Sequence, residues 1–163
     1  NLAMKGWVGF LMRYTDINPI CSKDKEYMKK QFNKMICKML RKKRWILIYP
    51  EQEMWFNYRK PRNPKRGAYY YAAKNNVLIV PLFVEIQNLD EKETEEFYKV
   101  KYVVHTLPPI YPEPELTTRE NSFRMMEKDY EQKKQAYEEA YGKKLDYAFE
   151  DGDIAGWVGS KTE

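Results

Sequence analysis

The sequence holds one histidine, His105, and two cysteines, Cys21 and Cys37, among its 163 residues. A lone histidine excludes most histidine-based metal sites, and no metal ligand set is expected. The cysteines lie too far apart for a metal or redox motif, so they read as free, half-buried thiols in a reducing compartment. No run approaches the roughly 18 apolar residues of a membrane span, and no stretch reads as a signal peptide. There are no internal repeats, no low-complexity segments and no dividing linker. Residues 1–163 therefore read as a single unit, with 142–163 as a mixed tail. What is present is a hydrophobic fraction of 43%, enough for a core, and 15% aromatics with 14 Tyr. Much of the buried area is expected from rings that also carry a polar handle. Lys and Arg outnumber Asp and Glu by 29 to 24, a net charge of +5. That excess favours phosphate-bearing ligands, acidic lipid surfaces or nucleic acid and separates none of them.

Along the chain, residues 3 to 20 are apolar and aromatic around Trp7, Phe10 and Leu11. They read as a short helix leading to an extended piece near Ile17 to Ile20. Ser22 is the expected N-cap of a helix to about Lys43, with Asp24 and Glu26 in its first turn. Met28, Phe32, Met35, Ile36, Met39 and Leu40 follow helical spacing. The basic run from Arg41 to Arg44 reads as helix termination. Trp45 to Tyr49 is a continuous apolar run closed by Pro50, the pattern of a strand buried on both faces of a parallel sheet. Pro50 to Pro64 is irregular. Lys65-Arg66-Gly67-Ala68 opens a short helix to about Lys74, with Ala72 and Ala73 facing a sheet. Val77 to Ile86 reads as a second buried strand, with Pro81 marking an edge, a start or a bulge. This order predicts a right-handed βαβ unit. Asp90 to Glu96 is an acidic turn, Phe97 to Thr106 a further strand and Leu107 to Glu115 an extended connection. Thr117 to Glu120 fits a capping box for a long charged helix to about Tyr141. That helix is expected to pack by a narrow stripe including Phe123, Met126 and Tyr130.

In parallel α/β sheets, ligands bind beyond the carboxyl ends of the strands. The loop after Tyr49 starts with Glu51 and carries Arg59, Lys60, Arg62, Lys65 and Arg66. The last two open a helix, where free N–H groups and the dipole favour an anion. Arg offers bidentate phosphate contacts and Lys a point charge. Trp55, Phe56 and Tyr58 are interleaved and would line an apolar groove. A ligand with a phosphate head and a greasy tail fits that chemistry; the plainer reading is an exposed basic loop in which Glu51 pairs with an Arg.

Three elements in order carry a resemblance: Ile48-Tyr49-Pro50-Glu51, then Lys65-Arg66-Gly67-Ala68 with Ala72, then Val77-Leu78-Ile79-Val80-Pro81. Together they resemble the glycerolipid acyltransferases, which acylate lysophosphatidic acid or related lysophospholipids. In that family a strand ends in Phe-Pro-Glu-Gly-Thr-Arg, a Lys-Gly pair opens a helix, and a Val-Pro-Ile-Val-Pro strand follows. Asn18 to Asp24 is similar to a weakened form of the family's Pro-Ile block, and Leu107 to Ile110 to its Gly-Pro-Ile segment. The resemblance covers roughly residues 3 to 140. Gln52-Glu53-Met54 stands where the family has Gly-Thr-Arg, so Arg59 or Arg62 would have to supply the missing cation. Lys23 is the nearest cation where the Pro-Ile block has an Arg. The family's catalytic His, followed five positions later by Asp, is not matched: His105 lies on a late strand, position 110 is Ile, and His105 reads as an ordinary, partly buried histidine.

The resemblance implies a mostly parallel sheet flanked by helices. With no initiator Met and no His-Asp motif, the chain is expected to be the C-terminal part of a longer acyltransferase, an incomplete domain inactive by itself. The full protein would move a fatty acyl group from acyl-CoA or acyl-carrier protein to a lysophospholipid or glycerol-phosphate hydroxyl, with no other cofactor. Glu51, Arg59, Arg62, Lys65, Arg66 and Gly67 would bind the acceptor head group. The expected setting is cytoplasmic and peripheral at a membrane face, with self-association through an unpaired sheet edge. One alternative is a non-catalytic, anionic-lipid-binding member of the same family. Another is single-stranded nucleic-acid binding through Trp55, Phe56 and Tyr58; the small charge excess and the dispersed acidic residues weigh against nucleic acid.

Overall fold

The computed structural model of the chain describes residues 24–159. Ser22, Cys21, the helix expected within residues 3 to 20, the extended piece near Ile20 and nearly all of the Asn18 to Asp24 block lie outside them. The chain forms two compact units, Asn1–Ile46 and Leu47–Glu163.

The described part of the first unit is one helical run. It consists of α1 (Lys25–Tyr27), a π-helical turn (Met28–Phe32) and α2 (Asn33–Arg41). Asp24 is the N-cap, its Oδ1 accepting from the Tyr27 N–H at 2.9 Å. In the π turn the Asn33 N–H reaches back five residues to the Met28 carbonyl, which inserts one extra residue into the turn. Phe32 and Ile36, four residues apart on one face, are buried. The helix stops two residues before the expected end, because Lys43 takes a left-handed conformation (φ 55°). Cys37 is a free, half-buried thiol, as expected.

The second unit departs from the predicted mostly parallel sheet. Among the described residues the sheet has two strands, β1 (Leu82–Lys92) and β2 (Tyr98–Thr106), and they are antiparallel. Trp45 to Tyr49 is not a strand, and Trp45 and Leu47 are 83% and 67% exposed. No described residue forms a ladder with this run, and an apolar run alone does not choose its own partner. Val77 to Val80 is likewise no strand. It makes one antiparallel bridge, Ile79 with Ile110, through hydrogen bonds of 2.9 and 2.8 Å. Strand β1 begins just after Pro81, so the proline marks a strand start, one of the positions it tolerates. The register pairs Leu82 with Thr106 through Asn88 with Val100 and then breaks before Lys92 and Tyr98. The acidic turn is shorter than the expected Asp90 to Glu96, because Asp90, Glu91 and Lys92 continue β1; residues 93–96 form it, closed by Glu93 and Thr94 N–H groups on the Phe97 carbonyl.

Helix α3 (Gly67–Lys74) packs on α4 (Thr118–Tyr141). Tyr69 and Ala72 join Ile110 and Met125 in the core, so Ala72 faces α4 rather than a sheet. Each large apolar side chain buried there contributes about 1.5–3 kcal/mol. The capping box of α4 is formed as predicted: Thr117 Oγ1 accepts from the Glu120 N–H, and Glu120 Oε2 from the Thr117 N–H at 2.8 Å. The buried row of α4 is not the predicted Phe123 stripe, since Phe123 is exposed. It is Asn121, Met125, Asp129, Lys133 and Tyr137, every fourth residue and mostly polar. Such residues tolerate burial because they find partners. The Asn121 side chain, for instance, bonds Glu113 twice, at 2.7 and 2.8 Å, and the Leu116 carbonyl.

The predicted tail is integrated into this unit as far as Gly159. Tyr98 N–H donates to the Gly156 carbonyl at 2.7 Å, and Val158 N–H to that of Glu96 at 3.0 Å. Gly156 has φ +77°, and a Cβ there would meet the Tyr98 carbonyl oxygen at 2.5 Å. Only glycine allows that approach.

Candidate functional site

The loop from Pro50 to Lys65 is tied at its neck by the Lys65 N–H on the Pro50 carbonyl, at 2.7 Å. Asn57, buried and left-handed at φ 49°, pins the middle. Its Nδ2 donates to the Ala155 carbonyl at 3.2 Å, and its Oδ1 accepts from the Tyr102 hydroxyl. Arg59 is engaged on all three nitrogens. Nε donates to the Ile86 carbonyl at 3.2 Å, Nη1 to that of Gly152 at 2.7 Å and Nη2 to Asn88 Oδ1 at 2.6 Å. The Lys60 and Asp153 side chains, 1% and 0% exposed, meet at 2.7 Å. Lys60 also donates to the Ala148 carbonyl at 2.7 Å. Between these pins the loop lifts Met54 (94% exposed), Trp55 and Phe56 into solvent.

Glu51 is half-buried at the start of the loop. Burial pushes its carboxyl above the usual range, while the Lys133 ammonium and the Arg62 backbone N–H oppose the shift. Below it lies a buried network from two helices. The Tyr69 hydroxyl donates to Asp129 Oδ2 at 2.5 Å, and Lys133 Nζ lies 3.1 Å from the same oxygen. Burial, the Asp129 charge and that hydrogen bond hold the Tyr69 phenol far above its normal range. Glu51 thus lies beside a buried network, where electrostatic contacts are stronger than in water. Arg62 is held by Glu53 at 2.6 Å and lies over the Trp55 ring, 4.1 Å from its centroid.

Lys65, Arg66 and Gly67 are exposed at the start of α3. No side chain caps that helix, and nothing lies within 4 Å of where a Gly67 Cβ would stand. The Arg66 guanidinium lies over the Phe123 ring, 4.6 Å from its centroid. With Tyr70, Arg119 and Phe123 it lines an open pocket of about 460 Å³.

The six residues singled out by sequence therefore fall into three places. Glu51 and Arg62 lie by the Asp129–Lys133 network, Lys65 to Gly67 at the start of α3, and Arg59 inside the anchoring of the loop. His105 lies apart on β2, its Nε2 2.8 Å from Glu85 Oε2. Glu85 is held low, first by Gln87 and then by His105. Sequence reasoning named Lys60 only as one of the loop's cations and missed Arg119, Asp129 and Lys133. The Asp129–Lys133 spacing of four was a visible signal, since such a pair meets on one helix face; nothing local showed that this face is buried.

A family model described as Acyltransferase matches residues 1–85. The chain belongs to the acyltransferase family. The match spans Glu51, Arg59, Arg62, Lys65, Arg66 and Gly67 and stops at Glu85, so β2, α4 and Arg119 lie beyond it. Neither a curated protein nor a solved structure matches the chain significantly. Among the described residues of this acyltransferase-family chain, no helix is long and apolar enough to cross a membrane.

Proposed function

We propose that the chain is the acceptor-binding part of an enzyme of phospholipid biosynthesis. It would serve transfer of a fatty acyl group from acyl-CoA or acyl-carrier protein to a lysophospholipid or glycerol-phosphate hydroxyl. The observation that carries this reading is Glu51. It is a half-buried carboxyl beside Arg62 and Lys133, at the mouth of a basic loop within the region that matches the family. A carboxylate so placed accepts hydrogen bonds from the hydroxyls of a polar head group, while Lys65, Arg66 and the Gly67 backbone take its phosphate. Arg59 holds the loop in place. Met54, Trp55 and Phe56 turn toward the acyl chain or the membrane surface, and self-association through the two-stranded sheet belongs to the same proposal. Proton transfer is assigned to no residue of this chain, because its one histidine, His105, lies on β2, beyond the residues that match the family.

The test is Glu51→Gln, introduced into the protein as its gene encodes it, with acyl transfer and acceptor binding both measured. Loss of a charge-assisted hydrogen bond predicts a fall of about tenfold or more. Near-normal transfer and acceptor KM would remove Glu51 from the site. One observation favours a second reading, a non-catalytic lipid-binding member. Glu53 stands in the segment where the family has Gly-Thr-Arg, and it neutralises Arg62. Acceptor binding without any acyl transfer would select it.

A further inference from the structure

We infer that the pocket between α3 and α4 is a binding site for a phosphate monoester, held by Arg66 and Arg119 with Phe123 and Tyr70 against the esterified group. The second unit has five described arginines, and they divide cleanly. Arg59 is bonded on three nitrogens, Arg62 is paired with Glu53 and Arg124 is paired with Glu113 at 2.9 Å. The other two, Arg66 and Arg119, have no carboxylate partner among the described residues, and both line the same pocket. The acid nearest Arg119 in the chain is Glu120. Its carboxylate is committed to the Thr117 N–H and hydroxyl at 2.8 and 2.6 Å, contacts that hold it low. Two guanidiniums brought to one cavity from separate elements repel each other unless an anion lies between them.

The geometry favours a phosphate ester over a bare ion. The Arg66 guanidinium lies over the Phe123 ring, and a cation held at a ring face keeps its N–H groups for paired contacts to oxygen. The uncapped start of α3 adds backbone N–H groups of the same polarity. A pocket of about 460 Å³ exceeds what one phosphate fills, and its remaining walls are two aromatic rings. The chemistry is shared by a lysophosphatidate head group and by the 3′-phosphate of coenzyme A. At Arg66 the inference rests on the acceptor reading; at Arg119, Tyr70 and Phe123 it goes beyond it.

The experiment is calorimetric titration of the 163-residue chain with four probes: sulfate, sn-glycerol 3-phosphate, lysophosphatidate below its micellar concentration, and adenosine 3′,5′-bisphosphate. At least one monoester should saturate the chain, more tightly than sulfate. Arg66→Ala and Arg119→Ala should each weaken it about tenfold or more, with an unchanged circular dichroism spectrum. Lys128→Ala, further along α4, should change nothing. Preference for lysophosphatidate identifies the acceptor as occupant, and preference for the bisphosphate identifies the donor's nucleotide end. Failure of every monoester to saturate by about 10 mM, parity with sulfate, or parental affinity in Arg119→Ala overturns the inference. Glycerol-phosphate binding that needs Glu51 but not Arg119 would sink the pocket and spare the acceptor reading. Binding that needs Arg119 and is indifferent to Glu51→Gln would do the reverse.

Discussion

Arg59 and Lys60 lie six residues before Lys65 and Arg66, in the same loop and of the same chemical types. The first pair is consumed by the fold. Arg59 ties the loop to β1 and to Gly152, and Lys60 is sealed against Asp153. The second pair faces solvent at the start of a helix without a side-chain cap. Residue type does not decide which basic residues are available to a ligand. Tertiary partners decide it: residues 146 to 153 supply the oxygens that take up Lys60 and, together with Ile86 and Asn88 of β1, those that take up Arg59, and they leave Lys65 and Arg66 untouched.

The sharpest way to break this contrast is Lys60→Met. It leaves the Asp153 carboxylate buried without its closest partner, and losing one member of a buried pair costs about 3–5 kcal/mol. Urea unfolding should register that loss, and a value near zero would mean that Lys60 is no different from the exposed cations. The same pair sets an acid dependence. Burial alone would raise the Asp153 carboxyl, but the hydrogen bond and charge of Lys60, with the Glu150 backbone N–H, bring it below its ordinary 3.8. A carboxyl with a lowered folded value stabilises the fold fully above pH 3.8, and that contribution is lost as pH falls through the folded value. The acid limb of the stability profile should therefore be steep in the parent chain and shallower in Lys60→Met.

A second variant tests the segment that makes the selection. Gly156→Ala places a Cβ against the Tyr98 carbonyl at a positive φ. Backbone strain of that kind costs about 1–3 kcal/mol, and the clash adds to it. Residues 153 to 158 should become more open to hydrogen exchange, and so should the backbone of Asn57 and Arg59, which bonds to them. Fast exchange confined to the tail, with the loop unchanged, would mean that the loop holds its own shape.

Local signals carried further in this chain than long-range ones. The capping box at Thr117, the end of α3 at Asn75 and the start of β1 behind Pro81 all follow from turn and helix chemistry within a few residues. The partner of an apolar run is a different kind of fact. Trp45 to Tyr49 reads as a buried parallel strand, yet no described strand lies beside it, and Val77 to Val80 finds a single bridge instead of a ladder. The core row of α4 escaped notice because its charged members look like a solvated face until Tyr69 and Lys133 are seen to satisfy Asp129. For the site, the acidic opening at Glu51 and the helix start at Lys65 and Arg66 were legible in the loop. Arg119 was not, since a residue more than fifty positions away joins the pocket only through the packing of α3 on α4.

The smallest expected effect completes the contrast from the other side. Arg66→Ala removes a side chain with no ion-pair partner and one exposed ring contact, at Phe123. A stacked, exposed cation contributes about 0.5–1 kcal/mol. The approach of Arg66 to Arg119 in the pocket opposes that gain in the absence of an anion. Chemical denaturation should accordingly show a stability change within about 0.5 kcal/mol, an order of magnitude below Lys60→Met. A saturating phosphate monoester should then separate the two proteins, raising the unfolding midpoint of the parent chain by mass action and leaving that of Arg66→Ala almost unmoved. A loss of several kcal/mol without ligand would instead place Arg66 with Arg59 and Lys60 as part of the scaffold, and the loop would then hold one kind of cation rather than two.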